Sequence, residues 1–179
     1  MAQFVVVETD GAGLPLADWT RDRPTVQIDF MLEAFQGSGA TATARGTLLA
    51  RGCRAQDYAT LRDLLQARLA PVEPIRVDPM AGEWFGRFTA RPENMSRNPA
   101  AIALMPLSGQ LGPPWSHVES GIVYLRFMPR GVSADQAADR ARHALAEAGA
   151  SADVSTQEIG DRDYGVWDDL VQASVGLRG

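Results

Sequence analysis

Residues 26–50 read VQIDFMLEAFQGSGATATARGTLLA, and this stretch decides the fold class. From Val26 to Leu32, apolar side chains at every second position alternate with mostly polar ones, which is typical of a strand that buries one face. Gly37-Ser38-Gly39 then predicts a reversal of the chain, and residues 40–50 return as a second strand of small and β-branched residues. The stretch therefore predicts an antiparallel hairpin.

Further elements surround this hairpin in the first part of the chain. Residues 4–8 predict a short buried strand, after which Gly11, Gly13 and Pro15 predict a loop rather than a helix. Leucines and a tyrosine repeat on one stripe of residues 56–69, which predicts a helix. Three more strands are expected at residues 74–78, 83–91 and 100–107.

The segment 108–120 is rich in glycine and proline and is expected to connect two units, residues 1–110 and 121–179. In the second unit, residues 121–128 and 152–159 predict strands. Between them, Ser133 and Gln136 form a capping box before a helix over residues 134–148. A last short helix is expected at 163–173. The predicted class is α+β, a β-sandwich-like antiparallel sheet with one packed helix followed by a small β-α-β unit.

Composition excludes several kinds of function. The chain has 179 residues and no lysine, so it lacks the lysine of a P-loop and the amine of an imine-forming enzyme. A formal net charge of −5 gives a general field that repels nucleic acid and anionic lipid, so we expect neither as a partner. The single cysteine, Cys53, is expected to be a small buried thiol. Together with a start that lacks a basic, apolar signal, it favours synthesis in a reducing cytoplasm.

His117-Val118-Glu119 is the sharpest candidate for chemistry, because an imidazole and a carboxylate at this spacing suit a metal ion. His143 is the one further histidine that could complete a set of two histidines and a carboxylate. The alternative is that these are loop and surface residues, and His143 has acidic helix neighbours that favour this interpretation. Ser116, His117 and Glu119 are too close in sequence to converge as a catalytic triad. We therefore predict no catalytic residues, no cofactor and no metal, with the metal set as the competing hypothesis.

Aromatic and arginine residues alternate along the predicted strand at 83–91. Trp84, Phe85, Arg87 and Arg91 are the residue types that protein interfaces favour. Their alternative use is to bury one face of the hairpin in the core of the same chain. We predict them as candidates for contacts between subunits.

The order of elements over residues 42–115 resembles that of the tail-tube and distal-tail proteins of long-tailed phages. The matching segments are GTLLARG, YATLRDLLQARL, PIRVD, EWFGRFTAR and AAIALMPL. This resemblance implies a β-sandwich with one packed helix, assembly into rings and a virion-associated location. The leading expectation is therefore a structural protein that forms homo-oligomers and contacts other protein subunits. The competing one is a small metal-dependent enzyme or ligand-binding domain that uses the loop around His117 and Glu119.

Overall fold

Eight strands form one sheet in the computed structural model, which describes residues 3–36, 43–67, 72–78, 80–90, 98–112 and 114–174. The strands are β1 (Gln3–Asp10), β2 (Gln27–Gln36), β3 (Thr43–Arg51), β4 (Val72–Asp78), β5 (Glu83–Ala90), β6 (Trp115–Glu119), β7 (Ile122–Phe127) and β8 (Asp153–Glu158). Their order in the sheet is β4-β5-β3-β2-β6-β7-β1-β8, and every neighbouring pair is antiparallel. The predicted α+β class with an antiparallel sheet is confirmed.

Helices cover both faces of this sheet. They are α1 (Pro15–Arg21), α2 (Asp57–Gln66), α3 (Pro99–Leu104), α4 (Ser108–Leu111), α5 (Ala134–Glu147) and α6 (Asp161–Ser174), with a 3-10 turn at Met105–Leu107. Helices α1 to α5 contribute side chains to one apolar core, whereas Val166 and Leu170 of α6 belong to a second core on the opposite face. Across the described ranges, no helix is long and apolar enough to cross a membrane.

The predicted hairpin is confirmed as β2 and β3. Ile28 faces Ala50 and Phe30 faces Leu48 in the register, and these side chains enter the first core because alternate residues of a strand point to one face. Asp29, between them in sequence, points to the α6 face. The turn expected at Gly37-Ser38-Gly39 lies outside the described residues.

Segment 108–120, expected to be a connector, contains α4 and the central strand β6. Trp115 and Val118 are buried on opposite faces of the sheet, so β6 packs in both cores. The glycines and prolines around these two residues are typical of a loop, and they led to the prediction of a connector. Since β6 pairs with β2 on one side and β7 on the other, strands of both expected units belong to one sheet. The division into two domains stays a prediction.

Two local predictions are wrong. The strand expected at residues 100–107 is α3 followed by the 3-10 turn, because the side chain of Asn98 accepts hydrogen bonds from the backbone of Ala100 and Ala101 and caps the helix. The loop expected after β1 contains α1, which begins at Pro15. Proline is favourable at the first position of a helix, because an N–H group at that position would have no hydrogen-bond acceptor within the helix.

The second unit contains the predicted strand, helix and strand, with the capping box of Ser133 and Gln136 in place. β7 and β8 do not pair with each other, because β1 lies between them and is antiparallel to both. The long α5 packs its alanine-rich stripe, which includes Ala137 and Ala141, on the first core. The N-terminal strand is therefore inserted into the expected β-α-β unit.

Candidate functional site

A row of polar side chains crosses the centre of the sheet on the face that α6 covers in part. Asp29 of β2 is the direct cross-strand partner of His117 of β6, and His117 is in turn the partner of Tyr124 of β7. Residues at i and i+2 of a strand share a face, so Trp115 and Glu119 flank His117 on the same side. The sheet register alone therefore brings a carboxylate, an imidazole and a second carboxylate together.

Asp29 is 1% exposed, so its carboxylate is buried in the middle of the sheet. Its Oδ1 accepts a hydrogen bond from Trp115 Nε1 at 2.7 Å and lies 2.7 Å from His117 Nδ1. A carboxylate can only accept in this contact, so Nδ1 of His117 carries the proton. The ring of His117 is thereby fixed in one orientation, as buried carboxylates fix histidines in many acid–base sites.

The other ring nitrogen faces the second carboxylate. His117 Nε2 lies 3.0 Å from Glu119 Oε2, and Glu119 Oε1 accepts from Gln27 Nε2 at 3.2 Å. The amide oxygen of Gln27 then accepts from Arg162 Nη2 of α6 at 3.1 Å. Hydrogen bonds therefore run without interruption from the exposed Arg162 to the buried Asp29.

Charge stabilises the protonated ring. Burial of His117 opposes protonation and is the largest influence, but the hydrogen bond and charge of Asp29 and the hydrogen bond of Glu119 together outweigh it. Arg126 opposes protonation, and the net result is a pKa of His117 above its ordinary value. For Glu119, burial raises the pKa, yet the hydrogen bonds from His117 and Gln27 and the charges of His117 and Arg162 lower it overall.

The sign of the effect on stability follows from the raised pKa of His117. An unfolded histidine titrates near about 6.5, so the folded protein binds the proton more tightly. The stabilisation by His117 is complete below that pH and is lost as the pH rises through the folded pKa. The protonated pair therefore stabilises the fold at pH values up to about 6.5, and this contribution is lost as the pH rises through the folded pKa of His117.

Aromatic rings surround the row toward β7. The ring of Tyr124 lies 5.7 Å from that of His117, and the guanidinium of Arg126 lies 4.6 Å from the centre of the Trp115 ring. Burial, followed by the charges of Glu8 and Glu119, raises the pKa of Tyr124. The site thus has apolar walls as well as charged groups.

The competing metal set of His117, Glu119 and His143 does not assemble. His117 and Glu119 are in contact, but His143 lies on the exposed side of α5, where its Nε2 is 3.2 Å from Glu147 Oε1 and its side chain is 77% exposed. Helix α5 packs on the face of the sheet opposite to His117. In the part of the chain that the structure describes, no three histidine, cysteine, aspartate or glutamate side chains are arranged to hold a metal ion.

Two of the four residues expected at a subunit interface are buried within the chain. Trp84 is 7% exposed in the first core and Phe85 is 3% exposed in the second, so neither ring is available to a partner. Arg87 is exposed, and Arg91 lies outside the described residues. Strand β5 therefore uses Trp84 and Phe85 to fill two cores of the same chain, which is the alternative use that the sequence left open.

Two other sequence candidates are inert here. Cys53 is buried, and burial together with the charge of Asp57 raises the pKa of its thiol to about 11, so the thiolate is scarce at neutral pH. Ser116 neighbours His117 on β6 and points to the opposite face, so a serine-histidine-glutamate triad is impossible.

Asp29, Gln27 and Arg162 are the members of the site that sequence reasoning missed. Asp29 and Gln27 occupy polar positions of an alternating strand, which normally marks a solvent face. Only the pairing of β2 with β6, across 88 residues of chain, shows that these positions face His117 and Glu119.

Comparison of the sequence with family models finds no match, and comparison with curated proteins finds none either. Evidence for function therefore comes from the geometry of the site.

Titration of His117 tests this geometry. We expect NMR of ring-labelled protein to give a pKa of His117 above its ordinary value, about 6.5. Asp29→Asn should lower it below that value, because burial then acts with less opposition, and Glu119→Gln should lower it less. The exposed His143 is the internal control, whose ring resonances at a fixed pH should coincide in all three proteins. A His117 pKa that is unaffected by Asp29→Asn would contradict the arrangement.

Proposed function

We propose that this chain binds a small molecule through a carboxylate group, at the position that the carboxylate of Glu119 occupies. The observation that carries the proposal is the convergence of His117 Nε2 and Gln27 Nε2 on that one carboxylate, with the guanidinium of Arg162 close enough to lower the pKa of Glu119. Such a set of donors suits any carboxylate, whether it belongs to the protein or to a ligand.

The donors are held in place before a ligand arrives. His117 is buried, and its orientation is fixed by Asp29, which is itself anchored by Trp115. Gln27 lies on the central strand β2 and is positioned by Arg162. Preorganised donors lose little conformational freedom on binding, which favours affinity.

The carboxylate of Glu119 can move away from His117 and Gln27 and make room for a ligand. Glu119 is the last residue of β6 and its side chain is 37% exposed, so it can turn into solvent without opening a core. A tight turn follows directly, with positive φ of 50° at Ser120 and 79° at Gly121. A ligand would therefore exchange with Glu119 at the edge of the site, not in its interior.

A metal-dependent form of this function is not supported by the geometry. Nδ1 of His117 is hydrogen-bonded to Asp29 at 2.7 Å and Nε2 faces Glu119 at 3.0 Å, so a cation on Nε2 would have to displace the contact with Glu119. His143, the other expected ligand, is on the opposite face of the sheet. Direct recognition of an anion by the imidazolium needs no metal.

Removal of Glu119 should make the site measurable with acetate as the probe. In Glu119→Ala, acetate should shift the His117 ring resonances saturably, with a Kd of about 10 mM, a value within the usual limit for a ligand of four heavy atoms. Wild-type protein should bind at least about tenfold more weakly, because the tethered Glu119 competes. Ionic strength is held constant with chloride throughout.

Glu147→Ala is the matched control, because it removes the carboxylate from the exposed pair of His143 and Glu147. In this variant, acetate should cause no saturable shift of the His143 ring resonances, because the substitution removes the contact with Glu147 that orients the ring. If His117 in folded Glu119→Ala titrates with pH but does not respond to acetate, the proposal is wrong.

A second candidate function, self-association, is favoured by the edge strand β8. Its partner strand is β1, and the six residue pairs between them are continuous, with neither a bulge nor a proline. At the opposite edge, β4 contains Pro74 and a register shift beside it, two features that discourage strand pairing. In the described part of the sheet β8 is an edge strand, which favours a closed dimer in which two copies of β8 pair and the partner's backbone replaces the contact of Arg142 with the Val154 carbonyl. The homo-oligomeric assembly and the virion-associated location implied by the phage-tail resemblance belong to this second proposal.

Light scattering on purified protein tests the second candidate. Val154 O accepts a hydrogen bond from Arg142, so it faces away from β1, and the backbone of Thr156 shares that outward side. Thr156→Pro should therefore leave the pairing with β1 intact and block pairing with another chain. We expect the wild-type protein to have twice the 19.3 kDa mass of the chain and the variant to have a mass of 19.3 kDa. A wild-type monomer at about 100 μM, a concentration at which even a micromolar dimer would dominate, removes this candidate.

A further inference from the structure

Helix α6 is fixed to the sheet in different ways at its two ends. Toward its carboxyl end, Leu170 is fully buried and Asp169 lies 3.0 Å from Arg51 of β3. At its amino end, Arg162 is exposed and donates a hydrogen bond to Gln27, which is held by Glu119. From Val166 onward the helix is therefore held by the second core, whereas its first turn, at Arg162, is held by the polar row.

We propose that His117 is a proton-operated latch that holds the amino end of α6 on the sheet when the ring is protonated and releases it when the ring is neutral. The latch requires no ligand, so it is independent of the binding function proposed above.

The latch follows from the number of donors on the ring. A protonated imidazole donates from both nitrogens, and a neutral one donates from a single nitrogen. The last proton must stay on Nδ1, because Asp29 is 1% exposed and a buried carboxylate without its donor is costly. Nε2 then presents a lone pair to Glu119 Oε2 across 3.0 Å, a contact between two acceptors.

Glu119 is the group that can move away from this contact. It is 37% exposed, whereas Asp29 and His117 are enclosed by the sheet and by Trp115. When Glu119 turns into solvent, Gln27 Nε2 loses its acceptor and Arg162 loses the nearby negative charge. The amino end of α6 is then held by fewer contacts, and the ion pair of Asp169 with Arg51 becomes the pivot.

The charged and titratable groups around the ring set the pH at which this happens. They are Asp29 on β2, Glu119 on β6, Tyr124 and Arg126 on β7, Glu8 on β1 next to Tyr124, and Arg162 on α6. Burial and Arg126 oppose the protonated ring, but Asp29 and Glu119 outweigh them and raise the pKa of His117. The latch is therefore closed below the folded pKa of His117 and opens as the pH rises through it.

Amide hydrogen exchange followed by NMR tests the latch. The exchange rates of the backbone amides from Tyr164 to Trp167 are measured at a series of pH values and corrected for the intrinsic exchange rate. Each corrected rate is then divided by the corrected rate of the Leu170 amide, which lies next to the pivot. The ratio should rise about tenfold or more, as expected for the loss of one charge-assisted hydrogen bond, and the midpoint of this rise should coincide with the midpoint of the His117 titration in the same samples. Asp29→Asn should lower both midpoints together.

Glu119→Gln separates the latch from a general loosening at high pH. The side-chain amide that this substitution introduces can accept from a protonated ring and donate to a neutral one, so the step in exchange should disappear although His117 still titrates. Glu147→Gln on α5, the matched control, should retain the step. A ratio that stays constant through the wild-type His117 midpoint, or a step that persists unchanged in Glu119→Gln, overturns the proposal. The Glu119→Gln comparison decides alone if Asp29→Asn does not fold.

Discussion

The buried carboxylate of Asp29 is the constraint on which the centre of this structure depends. It lies on β2, the strand that joins the first hairpin to β6, and it needs donors because the sheet removes it from water. Trp115 and His117, both on β6, supply them at 2.7 Å each. The pairing of β2 with β6 therefore satisfies Asp29, orients His117 and joins the two ends of the sheet at once.

Both proposals on this face follow from the proton that Asp29 retains on the ring. With a protonated ring, Nε2 offers an N–H to a carboxylate, which is what a carboxylate ligand and the closed latch both require. Loss of the proton removes the donor, so ligand binding and docking of the amino end of α6 should weaken over the same pH range. Glu119, partly in solvent at the end of β6, is the movable part in either case.

Periodicity and capping predicted the parts of the fold that are local in sequence. The alternation from Val26 to Leu32 predicted the hairpin, and the reciprocal capping of Ser133 and Gln136 predicted α5. By contrast, β6 is a five-residue strand between glycine, proline and a tight turn, and its strand character comes from its neighbours in the sheet. Likewise, His117 and Glu119 could be found from their spacing, whereas Asp29 could not, because strand register across 88 residues has no local signal.

A double-mutant cycle between Asp29 and His117 tests the central claim most directly. The free energy of unfolding is measured at pH 6 for the wild type, Asp29→Asn, His117→Gln and the double variant. If the buried pair is the constraint described here, the sum of the losses in the two single variants should exceed the loss in the double variant by about 2 kcal/mol or more, because each single variant removes the charge that its buried partner faces. Losses that add to within about 0.5 kcal/mol would show that the two residues act independently and would contradict the account.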